Sequence, residues 1–435
     1  MDLSVVLPVV NECENLRELI PQLNALAGRL HLSHEIIVVD GGSTDGTQAA
    51  AAALGARVVR ERRRGYAGAL ETGFDEARGA YVLTLDADMS HDPDFVAKMW
   101  RLRERSDIVI ASRYVRGGVT YTSPVRNLSS RFLNRVLRRV LSMPVRDLSS
   151  GFRLYRRAAL ENLQLQGRNF EALEEILVIA YNRGFSVIEV PFTYFPRGAG
   201  RSHARLIRFG MDLARSAVNL WKVRNSLTAA DYEERAFYSI IPIQRYWHRR
   251  RHRIITRWAR GAHRVLDIGC GSSIDTQSLN YAIGMDLSFE KMRYMRRYAI
   301  PVLQASAFAL PFRDQSFDCV VCSEVIEHVV FNEVLFEEIN RVLMPGGRLV
   351  IGTPDYARVE WRAIEALYRA LAPSGYQDVH LMHYTRESLG GILVRHGFVH
   401  EQDEYIARAE LLMYWSKPAR SAASVAPPAR GLGAA

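Results

Sequence analysis

EIIVVDGGSTDGT, residues 35–47, decides the fold of the first half of this chain. Four β-branched residues, Ile36 to Val39, run into Asp40. Two glycines then break the strand, and the following residues, 44–54, have helical composition. Consecutive apolar positions mean a strand buried on both faces, the condition of a parallel sheet covered by helices. The same grammar surrounds it. LSVVLPVV (3–10), ARVVRE (56–61), YVLTLDAD (81–88) and DIVIASRY (107–114) read as strands, and residues 14–30 and 66–78 as helices. In such sheets ligands bind beyond the carboxyl ends of the strands. Four clusters therefore carry the chemistry: PVVNECENL (8–16), VVDGGSTDGT (38–47), TLDADMSHDP (84–93) and SRY (112–114).

A second alternation starts near residue 264, with RVLDIG, AIGMDL, FDCVVCSE and GRLVIGTP as strands. The fold class is α/β twice over. The expected domains are 1–225 and 263–417. A basic helical linker, 226–262, joins them, and a disordered tail, 418–435, rich in Ala, Pro and Gly, follows. Hydrophobic residues make up 48% of the 435, enough to exclude a disordered chain. Four scattered cysteines exclude a disulfide framework. The start MDLSVVLPVV lacks the basic and long apolar regions of a signal peptide. No uncharged apolar run reaches 18 residues, so no spanning helix is expected. These readings place the protein in the cytoplasm.

The net charge is +10, and residues 95–160 alone hold 15 Lys and Arg against 3 Asp and Glu. Such an excess suits nucleic acid, an anionic membrane or a phosphorylated substrate. RYWHRRRHR (245–253) has no aromatic platform or nucleic-acid module beside it, so nucleic acid is not expected there, and a linker or membrane-facing stretch is. In SSRFLNRVLRRVLSM (129–143), Phe132, Leu133, Val136, Leu137, Val140 and Leu141 share a helical face flanked by Arg131, Arg135, Arg138 and Arg139. Two readings stand: a helix lying in a membrane interface, or one packed on the sheet with its arginines in water. HARLIRFGMDLARSAVNLWKVR (203–224) is a second stretch of this kind.

Asp86 and Asp88 are two carboxylates one residue apart at a strand end, a spacing that can share a divalent ion and neutralise a diphosphate. With PVVNECENL, IIVVDGGSTDGT, ASRY and DLSSGFRLYRRAAL (147–160), this half resembles glycosyltransferase family 2, in particular its dolichol-phosphate and polyprenol-phosphate mannosyltransferases, over about residues 3 to 225. The resemblance implies a Rossmann-like GT-A fold, a nucleotide-diphosphate sugar and Mg²⁺ or Mn²⁺. It implies that Pro8, Val10, Glu12 and Asp40 contact the nucleoside. Asp86, Ala87 and Asp88 would meet the diphosphate and metal, with Ser90 nearby. Arg113 falls on both the donor side and the acceptor phosphate, and Arg126 and Ser130 on the acceptor phosphate. In YFPRGAGRSHARL (194–206), Arg197 and His203 fall in a segment that closes over the donor. Val10 stands where the family usually has Tyr, Gly41 where a second Asp is commoner, and His203 in place of Lys; the nucleobase stays open.

HRVLDIGCGSS (263–273) is a strand, an acid and Gly-x-Gly. Asp286 follows Asp267 by 19 residues at the next strand end, a spacing that suits a ribose clamp. Ile274 stands where a dinucleotide fingerprint needs a third glycine. With VLQASAFALPFRDQSFDCVVCSEVIEHV (302–329) and EINRVLMPGGRLVIGTPDY (338–356), this half resembles class I S-adenosylmethionine-dependent methyltransferases of the ubiquinone-methylase type. The resemblance implies that Asp267, Gly269, Cys270 and Gly271 surround the methionine part of the cofactor, Asp286 the ribose, and Ser306 and Ala307 the adenine. Position 306 is usually Asp in that family. Cys319 and Cys322 lie three apart on one strand, so they point to opposite faces and are expected buried and inert. His328 is a candidate base or a packing residue. His380 and His383 read as a loop pair without a carboxylate partner and serve as reserve bases.

The expectation is a bifunctional transferase at the cytoplasmic membrane face. One half glycosylates a polyprenyl phosphate; the other methylates a lipid-linked sugar or a related pathway molecule. The alternative keeps the glycosyltransferase with a sugar or protein hydroxyl as acceptor, Asp147 as its general base, and one half a non-catalytic binding module.

Overall fold

A computed structural model describes residues 1–195, 217–371 and 380–419. Arg197, His203 and the tail from 420 lie outside the described residues. The chain divides into two compact units, Met1–Ala230 and Asp231–Ala435.

The first unit is built on β1 (Leu3–Val9), β2 (His34–Asp40), β3 (Arg57–Arg60), β4 (Tyr81–Thr84), β5 (Ile108–Ser112), β7 (Arg153–Arg156) and β8 (Val187–Pro191), in the order β3-β2-β1-β4-β7-β5-β8. A two-stranded ribbon, β6 (Val119–Thr120) with β9 (Thr193–Tyr194), stands apart. β1 pairs in parallel on both sides, Val5 lying between Ile36 and Leu83. Val5, Val6 and Leu7 are all buried, as a run covered on two faces requires. On one face lies α1 (Cys13–Arg29), with Leu16, Leu19, Ile20, Leu23 and Leu26 buried at helical spacing. α3 (Tyr66–Glu76) covers the other so closely that a Cβ at Gly73 would meet Val6 Cγ1 at 2.2 Å. α2 (Thr47–Ala53), α4 (Val96–Arg101), α5 (Pro124–Val140) and α6 (Ala172–Asn182) complete the described helices of this unit that carry the argument.

The sheet is mixed, not all parallel: β7 runs antiparallel to both β4 and β5. Its sequence, RLYR, hides a central strand because two of its four residues are arginine. Arg153 is fully buried and donates to the carbonyls of Leu148 and Leu173, so a charged side chain fills a core position. The apolar face read on α5 also divides. Leu137 and Leu141 are buried, while Val125, Leu128 and Phe132 are 77%, 72% and 68% exposed and Val136 and Val140 are exposed with them. One side of the helix packs; a second, exposed apolar stripe of Val125, Leu128, Phe132 and Val136 lines an open cavity of this unit.

In the second unit β10 (Val265–Ile268), β11 (Ala282–Asp286), β12 (Val302–Gln304), β13 (Phe317–Ser323) and β14 (Leu343–Pro354) are parallel, in the order β12-β11-β10-β13-β14. β16 (Glu410–Ser416) and β15 (Val399–Ile406) extend the sheet antiparallel. Cys319 belongs to the apolar cluster on one side and Cys322 to that on the other. Both are free and fully buried, and burial pushes their thiols up, Cys319 to about 12.

Of the segment expected as a linker, 226–262, residues 226–230 belong to the first unit and 231–262 to the second. α7 (Tyr232–Phe237) and α8 (Pro242–Trp258) pack into this second unit, with Ile254, Ile255 and Trp258 in its core. Three arginines of α8 are met by acids distant in sequence, while Arg249 and Arg253 are exposed. Arg251 pairs with Glu324 at 3.1 Å and Glu410 at 2.5 Å, Arg250 and Arg257 pair with Glu404, and Trp247 donates to Glu410. His248 is half-buried, and desolvation, with Arg251 nearby, pushes its imidazole down to about 3.

Because Glu410 is 1% exposed, removing its cation strands a buried carboxylate, a loss of about 3–5 kcal/mol. Arg251→Ala is therefore expected to destabilise the second unit by that amount. Hydrogen exchange read by mass spectrometry should show protection falling in β13 to β16 and unchanged in β1 to β5.

Candidate active sites

In the first unit the loops after β1 and β2 are latched to each other. Asn11, at φ +56, accepts from the Thr44 amide, Ser43 accepts from the Asn11 amide, and Asp45 from the Cys13 amide. Asp40 is buried and accepts from the Gly42 and Ser43 amides and the Gln48 side chain. These bonds outweigh burial and hold its carboxyl below the usual range. It organises the turn in which Gly41 lies. A Cβ at Gly41 would come within 2.8 Å of Val10 Cγ2, so the two departures from the family pattern are neighbours in space.

β4 delivers Asp86 and Asp88 to its carboxyl end. Ser90 donates its amide to Asp88 Oδ1 at 3.1 Å and its hydroxyl to the same oxygen, and Tyr66 hydrogen-bonds Asp86. His91, not singled out in the sequence, is buried against Phe152, Phe192 and Tyr194. Its Nδ1 accepts from the Asp86 amide at 3.1 Å. Burial pushes the imidazole down, so it stays neutral and fixes the turn between the carboxylates. Two oxygen-only donors on one wall match the preference of a hard divalent cation.

Arg113, at the end of β5, is clamped by Asp147: Nε donates to Oδ2 at 2.8 Å and Nη2 to Oδ1 at 2.7 Å. Asp147 also accepts the Arg113 amide and is 0% exposed. A carboxylate so engaged is a poor general base, against the role weighed for it in the alternative reading. Its work is to orient Arg113. Tyr114 donates to Ser130, and the Arg113 and Arg131 guanidinium carbons lie 5.0 and 5.5 Å from the Tyr114 ring.

A cavity of about 2460 Å³ joins these groups. Its walls include Pro8, Val10 and Glu12, then Asp86, Ala87 and Asp88, then Arg113, and finally Arg126, Ser130 and Phe132 on α5. Donor-side and acceptor-side residues thus share one continuous space. Glu174 of α6 lines it too, an unexpected member. It is buried, its Oε2 has no hydrogen-bond partner among the described residues, and burial raises its carboxyl to about 7.

In the second unit, Gly269 and Gly271 take φ +68 and +53. A Cβ at Gly269 would lie 2.3 Å from Val325 Cγ2, and one at Gly271 2.5 Å from the Glu233 carboxyl carbon. Glu233, from α7, accepts the Ser272 amide and hydroxyl and pairs with Lys291. Asp286 accepts the Gly271 amide at 2.9 Å and the Ser288 amide at 2.8 Å, which ties it to the glycine loop. Asp267 is buried beneath the loop, bonded by Thr276, and burial pushes its carboxyl up to about 8. It lines a small cavity together with Gly269 and Cys270. Cys270 is buried with its thiol pushed up by burial, while Ser306 and Ala307 are half-buried after β12. A small cavity of about 80 Å³ lies between this loop and residues of α7 and α8.

His328 and His380 lie together, ring centroids 4.9 Å apart, beyond the carboxyl ends of β13 and β14. His380 has a carboxylate neighbour after all, Glu327, whereas His383 stacks on Tyr356 at 4.0 Å. Among the described residues no helix is long and apolar enough to cross a membrane.

Comparison with known proteins gives the two halves separate kin. The glycosyl transferase family 2 model matches residues 4–164, and a methyltransferase domain model matches 266–351. The dolichol-phosphate mannosyltransferase of Pyrococcus furiosus is 37% identical over 214 residues, 46% of this chain and 59% of that protein. The polyprenol monophosphomannose synthase of Mycolicibacterium smegmatis is 33% identical over 243 residues, 52% of this chain and 89% of that protein. A solved structure of glucosyl-3-phosphoglycerate synthase from Mycobacterium tuberculosis, 25% identical, covers 51% of this chain and 79% of its own with a TM-score of 0.40. The chain thus spans 59% of the length of the first relative and 89% of the second. On its match to the second, the chain belongs to glycosyl transferase family 2, and it carries a methyltransferase domain behind the glycosyltransferase domain.

Proposed function

We propose that the first unit moves a sugar from a nucleotide-diphosphate donor to a polyprenyl phosphate, and that the second moves a methyl group from S-adenosylmethionine to a hydroxyl of the lipid-linked sugar or of a related pathway molecule. The observation that carries the first half is the continuous cavity from Asp86 and Asp88, past Arg113, to Arg126 and Ser130. The two relatives are named for mannosyl transfer to dolichol phosphate and for polyprenol monophosphomannose synthesis.

Pro8, Val10 and Glu12, on the cavity wall, receive the nucleoside, and Asp40, buried, fixes the turn of Gly41 beside them. Asp86 and Asp88, the latter fixed by Ser90, would hold Mg²⁺ or Mn²⁺, which when bound would supply positive charge against the leaving diphosphate. Arg113, held in orientation by Asp147, faces the space between donor and acceptor. Arg126 and Ser130 take the acceptor phosphate, arginine's planar fork matching its oxygens. A phosphate is already an anion and needs no general base, which agrees with the engagement of Asp147. The exposed stripe Val125, Leu128, Phe132 and Val136, which lines the cavity beside Arg126 and Ser130, supports an apolar acceptor chain there, and Arg131, Arg135, Arg138 and Arg139 on the same helix support peripheral contact with an anionic membrane.

In the second unit the loop of Gly269, Cys270 and Gly271, with Asp267 beneath it, receives the methionine part of the cofactor. Asp286 receives the ribose, and Ser306 with Ala307 the adenine. S-adenosylmethionine supplies an electrophilic methyl group. The chain supplies a closed backbone loop and, at the next strand ends, the His328–His380 pair where the acceptor hydroxyl must lose its proton.

Asp88→Asn is expected to lower sugar transfer by about 10²-fold or more, the scale on which one charge-stabilising contact acts, and to leave methyl transfer intact. The assay is label transfer from nucleotide sugar to polyprenyl phosphate; activity within tenfold of wild type would remove Asp88 from the site. Arg126→Ala should raise the apparent KM for polyprenyl phosphate and leave that for the nucleotide sugar unchanged. The Asp88→Asn chain, given preformed polyprenyl-phosphate sugar and labelled S-adenosylmethionine, should place label in the lipid fraction. Label only in a quinone or small aromatic would separate the two activities.

A further inference from the structure

We infer that Glu327, His328 and His380 form a binding site for a divalent transition-metal ion in the methyltransferase unit, apart from the Asp86–Asp88 pair. Their donor atoms all lie within 4.8 Å of one another. Bonds of about 2.1 Å draw the donors of one ion to about 3.4–4.2 Å, within reach of a side-chain rotation. Two imidazoles and one carboxylate are the donor set of ions such as zinc and iron(II), with coordination positions left for an exogenous oxygen.

Three details point to an ion and not to ordinary packing. First, Glu327 is 0% exposed, and its Oε1 is buried without a hydrogen-bond partner among the described residues, while Thr353 donates to Oε2 at 3.2 Å. One oxygen is fixed and the other is left for a ligand, an arrangement that disfavours an empty site. Second, His380 Nδ1 lies 2.7 Å from the Tyr356 hydroxyl, and its ring stacks on Trp361. A hydrogen bond at one ring nitrogen of a ligand histidine fixes its tautomer and ring orientation. Third, the backbone encloses the site: the Leu381 and Met382 amides both donate to the Glu327 carbonyl, bringing the His380 segment back onto the 326–328 turn.

The site lies beyond the carboxyl ends of β13 and β14, the edge of the sheet that also bears Asp267 and Asp286. An ion there binds an acceptor's hydroxyl oxygen and makes its proton acidic, so that the proton passes to solvent water as the oxygen takes the methyl group and the sulfonium leaves as the neutral thioether. The two histidines then serve as ligands and not as bases. The metal site stands on its own geometry; its use on a hydroxyl rests on the function proposed above.

The test is zinc titration of the metal-stripped full chain by calorimetry, with stoichiometry checked by elemental analysis. Wild type should bind one equivalent more than His380→Ala. Glu327→Gln, which keeps the shape and removes the charge, should lose that same equivalent or weaken it at least tenfold. Tyr356→Phe should weaken it by about tenfold, the usual effect of deleting a group that orients a ligand. Cobalt(II) in place of zinc should give visible absorption in wild type that is absent in His380→Ala, whereas the Asp88→Asn chain keeps it. Equal zinc stoichiometry and affinity in wild type, His380→Ala and Glu327→Gln, with all three equally folded by circular dichroism, would overturn the site. Zinc bound as inferred, with methyl transfer unchanged by its removal, would keep the site and sink its use on a hydroxyl.

Discussion

A strand buried on both faces leaves one place for polar chemistry, the edge where its chain leaves the sheet. Both units of this molecule obey that constraint. Val5, Val6, Leu7, Ile37 and Val39 offer nothing to solvent, so the carboxylates follow the strands: Asp40 ends β2, and Asp86 and Asp88 come just after β4. In the second unit Ile268 and Met285 are sealed, and the glycine loop, Asp286 and the His328–His380 pair collect beyond the ends of β10, β11, β13 and β14. Two unlike reactions can be placed on the same scaffold because the scaffold fixes position and leaves identity to the loops.

Charge is settled locally against the low dielectric that this burial creates. Arg113 with Asp147, Glu233 with Lys291, and Arg251 with Glu324 and Glu410 are each pinned by hydrogen bonds as well as by attraction. A buried ion pair gains little over an apolar core, yet losing one partner is expensive, so these pairs act as geometric fixtures. The two arginine-rich helices show the contrast. On α8 Arg250, Arg251 and Arg257 are met by carboxylates of the same unit. On α5 the arginines stand beside Val125, Leu128 and Phe132, which no described residue covers enough to bury.

Elements whose reason is local were legible in the sequence: the parallel strands, α1 and α3, the strand-end carboxylates, and the opposed faces of Cys319 and Cys322. Elements whose reason is distant were not. β7 reads as polar because Arg153 finds its acceptors on the carbonyls of Leu148 and Leu173. α8 reads as a solvated linker because its counter-charges arrive at Glu324, Glu404 and Glu410. Asp147 reads as an available base because nothing in DLSSGF announces Arg113 as its partner. His380 reads as a loop histidine because Glu327 approaches it only through the fold. The residue type was visible in each case, and the partner was not.

The reach of α8 has a consequence for the way the chain is made. Arg251 leaves the ribosome 159 residues before Glu410. The first unit, complete by Ala230, can close while the second is still being translated. The second cannot. Its first long helix waits as a free cationic amphiphile until β16 arrives, since β16 both pairs with β14 and brings the carboxylate that neutralises the helix. Translation therefore delivers a finished glycosyltransferase unit well before its companion, followed by an interval in which the nascent methyltransferase is a basic helix and an unclosed sheet. Closure of that unit waits on the arrival of β16 and does not follow progressive growth.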